Sequence, residues 1–67
     1  MADSIGQKIK KIRKAQEMNQ VKFSSGLGIS QGRLSEIEKD ITKPSAETII
    51  ALRKRYSIDL NWLFDDE

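Results

Sequence analysis

Gln31, Arg33 and Glu36 are the residues of this chain whose types and spacing suit chemistry on a large polar partner. They stand together with Gly32 in one short segment, away from Leu34 and Ile37, which are three apart and share the opposite side of a helix. An Arg can grip guanine O6 and N7, a Gln can pair with adenine, and a Glu can accept from the cytosine amine. Displayed on the first turns of one helix, these side chains can read base edges in the DNA major groove. The plainer reading is a solvated polar face. Gly32 adds no side chain there. That absence would let the helix sit deep in a groove, or it marks a Gly tolerated at under about 1 kcal/mol relative to Ala. Arg33 lies three residues before Glu36, close enough on a helix for the two to orient each other.

The elements that must position these residues are legible on either side. Residues 20–39 read as two short helices around a tight turn, a helix-turn-helix. Asn19 can cap the first helix by accepting an orphan amide two or three residues on. Phe23 and Leu27 are four apart and share one face. Gly28 follows directly, where a left-handed residue ends a helix without a Cβ penalty. Ile29 anchors the turn and Ser30 offers the second cap. Ser24, Ser25 and Gly26 are poor helix formers, so the first helix of the pair is expected to be weak alone.

The remainder of the chain reads as three further helices. One runs from about residue 4 to 16, capped by Ser4, with Ile5, Ile9 and Ile12 on one stripe. A connection over residues 39–44 ends at Pro44, which disfavours helix at Lys43. Ser45 caps a fourth helix through about Arg55, with Ile49 and Leu52 facing inward, and Tyr56, Ser57 and Ile58 closing it. Asp59 caps a short fifth helix from Leu60 to about Phe64. The expected core is Ile9, Ile12, Phe23, Leu27, Ile29, Leu34, Ile37, Ile49, Leu52, Ile58 and Leu63. The acidic tail, Asp65, Asp66 and Glu67, is expected to fray, and its carboxylates have no scaffold for catalysis.

Composition narrows the function classes. Sixty-seven residues make one domain, residues 1–67. With neither Cys nor His, disulfides, thiolate metal ligation and the usual nucleophile–base pairs are missing. No enzyme, metal or cofactor is expected. No apolar run approaches the roughly 20 residues of a membrane span, and no signal-peptide apolar stretch opens the chain. A soluble cytoplasmic protein is expected. Residues 1–43 carry nine Lys and Arg against five Asp and Glu, whereas residues 44–67 carry three against five. The basic excess therefore lies in the half that holds the motif, where it can attract phosphates. For Lys8, Lys10, Lys11 and Lys14 the competing reading is a solvated helix face.

In these residues the chain resembles the Cro/CI-type helix-turn-helix family of phage and bacterial repressors, over roughly residues 5–64. Three signals carry the likeness. Ile9, Ile12 and Arg13 are followed by Asn19 and Gln20. Leu27, Gly28, Ile29 and Ser30 are followed by Leu34, Ser35, Ile37 and Glu38. Pro44, Ser45, Glu47 and Thr48 are followed by Leu60, Trp62 and Leu63. The resemblance implies an all-α, five-helix, lambda-repressor-like domain over about residues 9–63. It implies binding to double-stranded operator DNA, usually as a homodimer, and regulation by steric means. It implies a phosphate contact from Gln20 and a structural ion pair between Arg13 and Glu38, and it favours base reading over a solvated face for Gln31, Gly32, Arg33 and Glu36. Ser30, at a helix N-terminus, and Lys39 and Lys43, beside the loop after that helix, are expected to contact phosphates by their positions. At Trp62 it implies core packing, with a dimer contact as the alternative.

Three positions depart from the family pattern. Asp40 stands where Gly is usual, Glu17 where a helix-ending Gly is common, and the first motif helix carries the Ser-Ser-Gly run. The competing function is a protein-interaction module of the same fold, such as an antitoxin or a phage accessory regulator. A tight protein partner, with Arg33→Ala silent, would mark that class.

Overall fold

A computed structural model of the chain describes residues 3–65. The element order is α1 (Ile5–Ala15), α2 (Gln20–Leu27), α3 (Gln31–Glu38), α4 (Ala46–Tyr56) and α5 (Leu60–Phe64). Every element among the described residues is a helix. Each begins where a short polar side chain satisfies an orphan amide. Ser4 accepts from the Gln7 amide, Asn19 from Lys22, Ser30 from Arg33, Ser45 from Thr48 and Asp59 from Asn61. At α1 the exchange is reciprocal, because Gln7 Oε1 accepts from the Ser4 amide at 2.9 Å.

The helix ends use left-handed residues. Gly28 closes α2 at φ 76°. Glu17, Asp40 and Ser57 adopt φ of 57°, 62° and 54°, a conformation that costs a residue with a Cβ roughly 1–2 kcal/mol. Asp40 offsets that cost with its carboxylate. Its Oδ2 accepts from Ser4 Oγ at 2.5 Å and its Oδ1 from the Gly6 amide at 3.1 Å. The residue that departs from the family pattern thus ties the loop after α3 to the start of α1. Gly6 is the other half of the tie. A Cβ built there would lie 2.2 Å from the Ile37 carbonyl oxygen, so α1 and α3 approach more closely than a side chain allows.

The core is Ile9, Ile12, Phe23, Leu27, Leu34, Ile37, Leu52 and Leu63, drawn from all five helices. Ile29 and Ile58 pack against it half-buried, and Ile49 is half-buried too, so these three are marginal members of the expected core. Tyr56 extends it: its ring stacks on Phe23 with centroids 4.8 Å apart.

Two expectations fail at the α1–α5 contact. Trp62 is not core, since it remains 42% exposed. Lys8 is not part of a basic surface, since it is only 6% exposed. The Lys8 ammonium donates to the carbonyls of Trp62 at 2.7 Å and Asp65 at 2.5 Å, and lies 5.3 Å from the Trp62 ring centroid. A buried cation is thereby placed on the carbonyls of a helix C-terminus, where the dipole favours it. Lys11 instead stays outside and pairs with Asp3. The hydrogen bond from Lys11 is the main cause that holds the Asp3 carboxyl below the usual carboxylate range. No helix among the described residues is long and apolar enough to cross a membrane.

Candidate nucleic-acid interface

The interface is built on α3 and the two helices that hold it. Leu34 and Ile37 face the core at 0% and 1% exposure, and this anchors one side of the helix. Gln31, Gly32, Arg33 and Glu36 are all exposed on the other side. No side chain crowds Gly32, where an added Cβ would meet nothing within 4 Å. A close approach by a partner is therefore open at that point.

Behind this face lies a polar network. Arg13 Nε donates to Glu38 Oε2 at 2.8 Å and Arg13 Nη2 to Glu38 Oε1 at 3.2 Å, a two-pronged ion pair. The Arg13 side chain is 12% exposed and that of Glu38 3%. A third prong, Arg13 Nη1, donates to the Met18 carbonyl at 3.0 Å and braces the α1–α2 turn. Gln20 Nε2 donates to the same Glu38 Oε1 at 3.1 Å. Gln20 Oε1 then faces Gln31 Nε2 at 3.5 Å, the outer limit for a hydrogen bond. A buried ion pair is thus linked through one amide to the first residue of α3.

The remaining candidates divide into two groups. Ser30 and Arg33 line a recess of about 380 Å³ with Ile29, Ser45, Glu47 and Thr48, between the starts of α3 and α4. Lys39 caps the other end of α3 and Lys43 follows in the loop, both exposed. The eight residues of α3, roughly 12 Å of helix at 1.5 Å per residue, lie between Ser30 and Lys39. Between the two lysines Ile41 is 66% exposed, which leaves an apolar side chain among cations.

A helix-turn-helix family model matches residues 9–63 of the chain. The chain belongs to the helix-turn-helix family. It is 31% identical over 64 residues to the immunity repressor protein of Bacillus phage phi105, covering 96% of this chain and 44% of that relative. The chain therefore spans less than half the length of the relative it matches. Its fold is also that of the P22 c2 repressor protein, solved in complex with synthetic operator 9T. That match has a TM-score of 0.86 at 24% identity and covers 98% of this chain and 100% of the other.

In this helix-turn-helix chain three further positions bear on how the helices and the recess are held. Gly6 sets how closely α1 approaches α3, and nothing in its neighbours signals a contact so distant in sequence. Lys8 lay in plain view. It is three residues after Ile5 and four before Ile12, on the apolar stripe itself, and that spacing marks it as inward-facing. Glu47 was noticed only as part of a family signature, although its place in the first turn of α4 puts a carboxylate on the Arg33 recess.

Proposed function

We propose that this chain is a sequence-specific DNA-binding repressor module. In this reading α3 enters the major groove, and two copies bind a pseudo-palindromic operator with their recognition helices about 34 Å apart, one turn of DNA. The single observation that carries the reading is the exposed Gln31, Gly32, Arg33 and Glu36 face on a helix fixed from behind by Arg13, Glu38 and Gln20. Rigid support of a reading element is what base discrimination requires, because a loose helix spreads its side chains over several registers.

The roles divide by chemistry. Arg33, Gln31 and Glu36 face base edges, and Gly32 permits the close approach. Lys39 and Lys43, at one end of α3, and Ser30 and Gln20, at the other, hold the flanking phosphates and fix the docking register without reading sequence. Ser30 Oγ already accepts from the Arg33 amide, so it serves a phosphate through the helix N-terminus it caps. Trp62 and Phe64, exposed on α5, supply apolar surface for the second copy. The chain acts in the cytoplasm and catalyses no reaction.

Selection from random duplexes with the purified chain at low salt tests this function. An enriched inverted repeat is the expected result, and its half-site spacing gives the dimer geometry. Affinity for the enriched site should fall with salt at a log–log slope near −0.9 per phosphate contacted. Enrichment of a single half-site would overturn the dimer. Absence of enrichment, with only salt-sensitive retention, would overturn the repressor reading and favour a protein-interaction module.

A further inference from the structure

The Arg33 guanidinium is a reading group with no partner among the described residues. Its backbone amide is engaged by Ser30, but the planar head makes no hydrogen bond and no ion pair. A free guanidinium samples many rotamers, and a base-edge contact must select one of them. Two carboxylates are candidates for making such a selection. Glu36 lies three residues on along α3 but does not line the recess beside Arg33. Glu47 does line it, from the first turn of α4, and its own carboxylate is equally uncommitted. The other polar groups of the recess are already used, since Ser30 and Ser45 cap their helices and the Thr48 hydroxyl pairs with Ser45. Thr48 is buried, so the α4 wall that carries Glu47 is fixed in place.

We propose that Glu47 is a positioning residue for Arg33, setting the rotamer of its guanidinium across the recess and so fixing which base pair it reads. The assignment rests on the DNA-binding function proposed above. When α3 docks, one prong of the fork closes onto Glu47 and the others face the base edge, as a bidentate donor braced from its side. A carboxylate on the recess wall also repels phosphates, and so disfavours a slide of the guanidinium onto one of them.

A double-mutant cycle on the selected operator tests this. The parent, Glu47→Gln, Arg33→Ala and the double variant are compared on the best site and on the same site changed at the base pair whose preference Arg33→Ala abolishes. Glu47→Gln should reduce the preference at that base pair about fivefold, within the range of couplings between neighbouring residues, and leave other positions unchanged. In the Arg33→Ala background the same change should alter affinity for both sites equally. Glu47 also favours the α4 dipole, and loss of that role would move the melting temperature without moving base preference. A Glu47→Gln variant with unaltered preference at the Arg33 base pair, or with a uniform gain at every site, overturns the assignment while the repressor reading stands. A parent that prefers no sequence overturns both.

Discussion

The two ends of α3 are held on opposite terms. At the C-terminal end Glu38 is enclosed and accepts from Arg13 and Gln20, and the Ile37 carbonyl lies under Gly6. The following loop is tied to α1 through Asp40. At the N-terminal end Gln31 and Arg33 are exposed, and among the described residues one amide contact at 3.5 Å is their only side-chain link to the network behind. The difference shows that one helix can carry enclosed, multiply bonded side chains at one end and exposed, sparsely bonded ones at the other. Folding covers the ordering cost of the backbone, and in the proposed function the exposed side chains meet theirs on binding DNA. Substitutions at the two ends should therefore separate stability from recognition.

The strongest attempt to break that comparison is Arg13→Ala. It leaves the Glu38 carboxylate buried with Gln20 alone as a side-chain donor. Removal of one partner of a buried pair costs about 3–5 kcal/mol. In a domain of this size a loss of that order lowers the melting temperature by more than about 10 °C. Arg13→Lys should fall between the two, because an ammonium cannot reproduce the fork that reaches Glu38 and the Met18 carbonyl together. If Arg13→Ala melts with the parent by circular dichroism, the C-terminal end of α3 is not held by the pair.

Gly6→Ala comes next. The added Cβ meets a backbone oxygen, which cannot rotate away as a side-chain tip can. The helices must separate, at about 2 kcal/mol for an overpacked contact, and thermal melting reads the loss directly. Lys8→Met should have a smaller global effect and a local signature. The carbonyls of Trp62 and Asp65 lose a charged donor, a loss of about 1.5 kcal/mol. Amide exchange should accelerate in α5 before it does in α1 to α4. Acceleration in α3 to the same degree would mean that α5 and the recognition helix are one cooperative unit.

How much of this was legible follows from the range of each signal. Caps and turns are local, so Ser4, Asn19, Gly28, Ser30, Ser45 and Asp59 marked the five helices to within a residue or two. The apolar stripes likewise gave the buried Phe23, Leu34 and Leu52. Contacts between distant segments had no local signature. The Gly6 approach to Ile37 and the Asp40 tie to Ser4 join residues more than thirty apart. Lys8 was misread for another reason. Its place on the apolar stripe points inward, but a charge is expected outside, and the packing supplies what the stripe does not, helix-end carbonyls that receive the ammonium. Trp62 departs by the converse rule: a large ring need not be buried when it serves a cation and stays partly exposed.

The smallest expected effect on stability belongs to Arg33→Ala, and it sharpens the comparison most. The guanidinium has no partner among the described residues, and the recess it lines is open, so truncation creates no cavity in the core. Stability should change by under about 0.5 kcal/mol, as at other exposed positions without special contacts. The helix cap survives as well, because the Ser30 hydroxyl binds the backbone amide at this position and not the side chain. On DNA the same change should abolish preference at one base pair, worth about 1–3 kcal/mol of discrimination. Lys39→Ala should instead weaken binding to all sequences alike and reduce the salt slope by about one phosphate. Melting curves and salt titrations of these two variants therefore distinguish a reading end from a merely solvated one. If Arg33→Ala and Lys39→Ala change affinity and salt slope in the same way, Arg33 is a phosphate contact, and the free end of α3 does not read sequence through it.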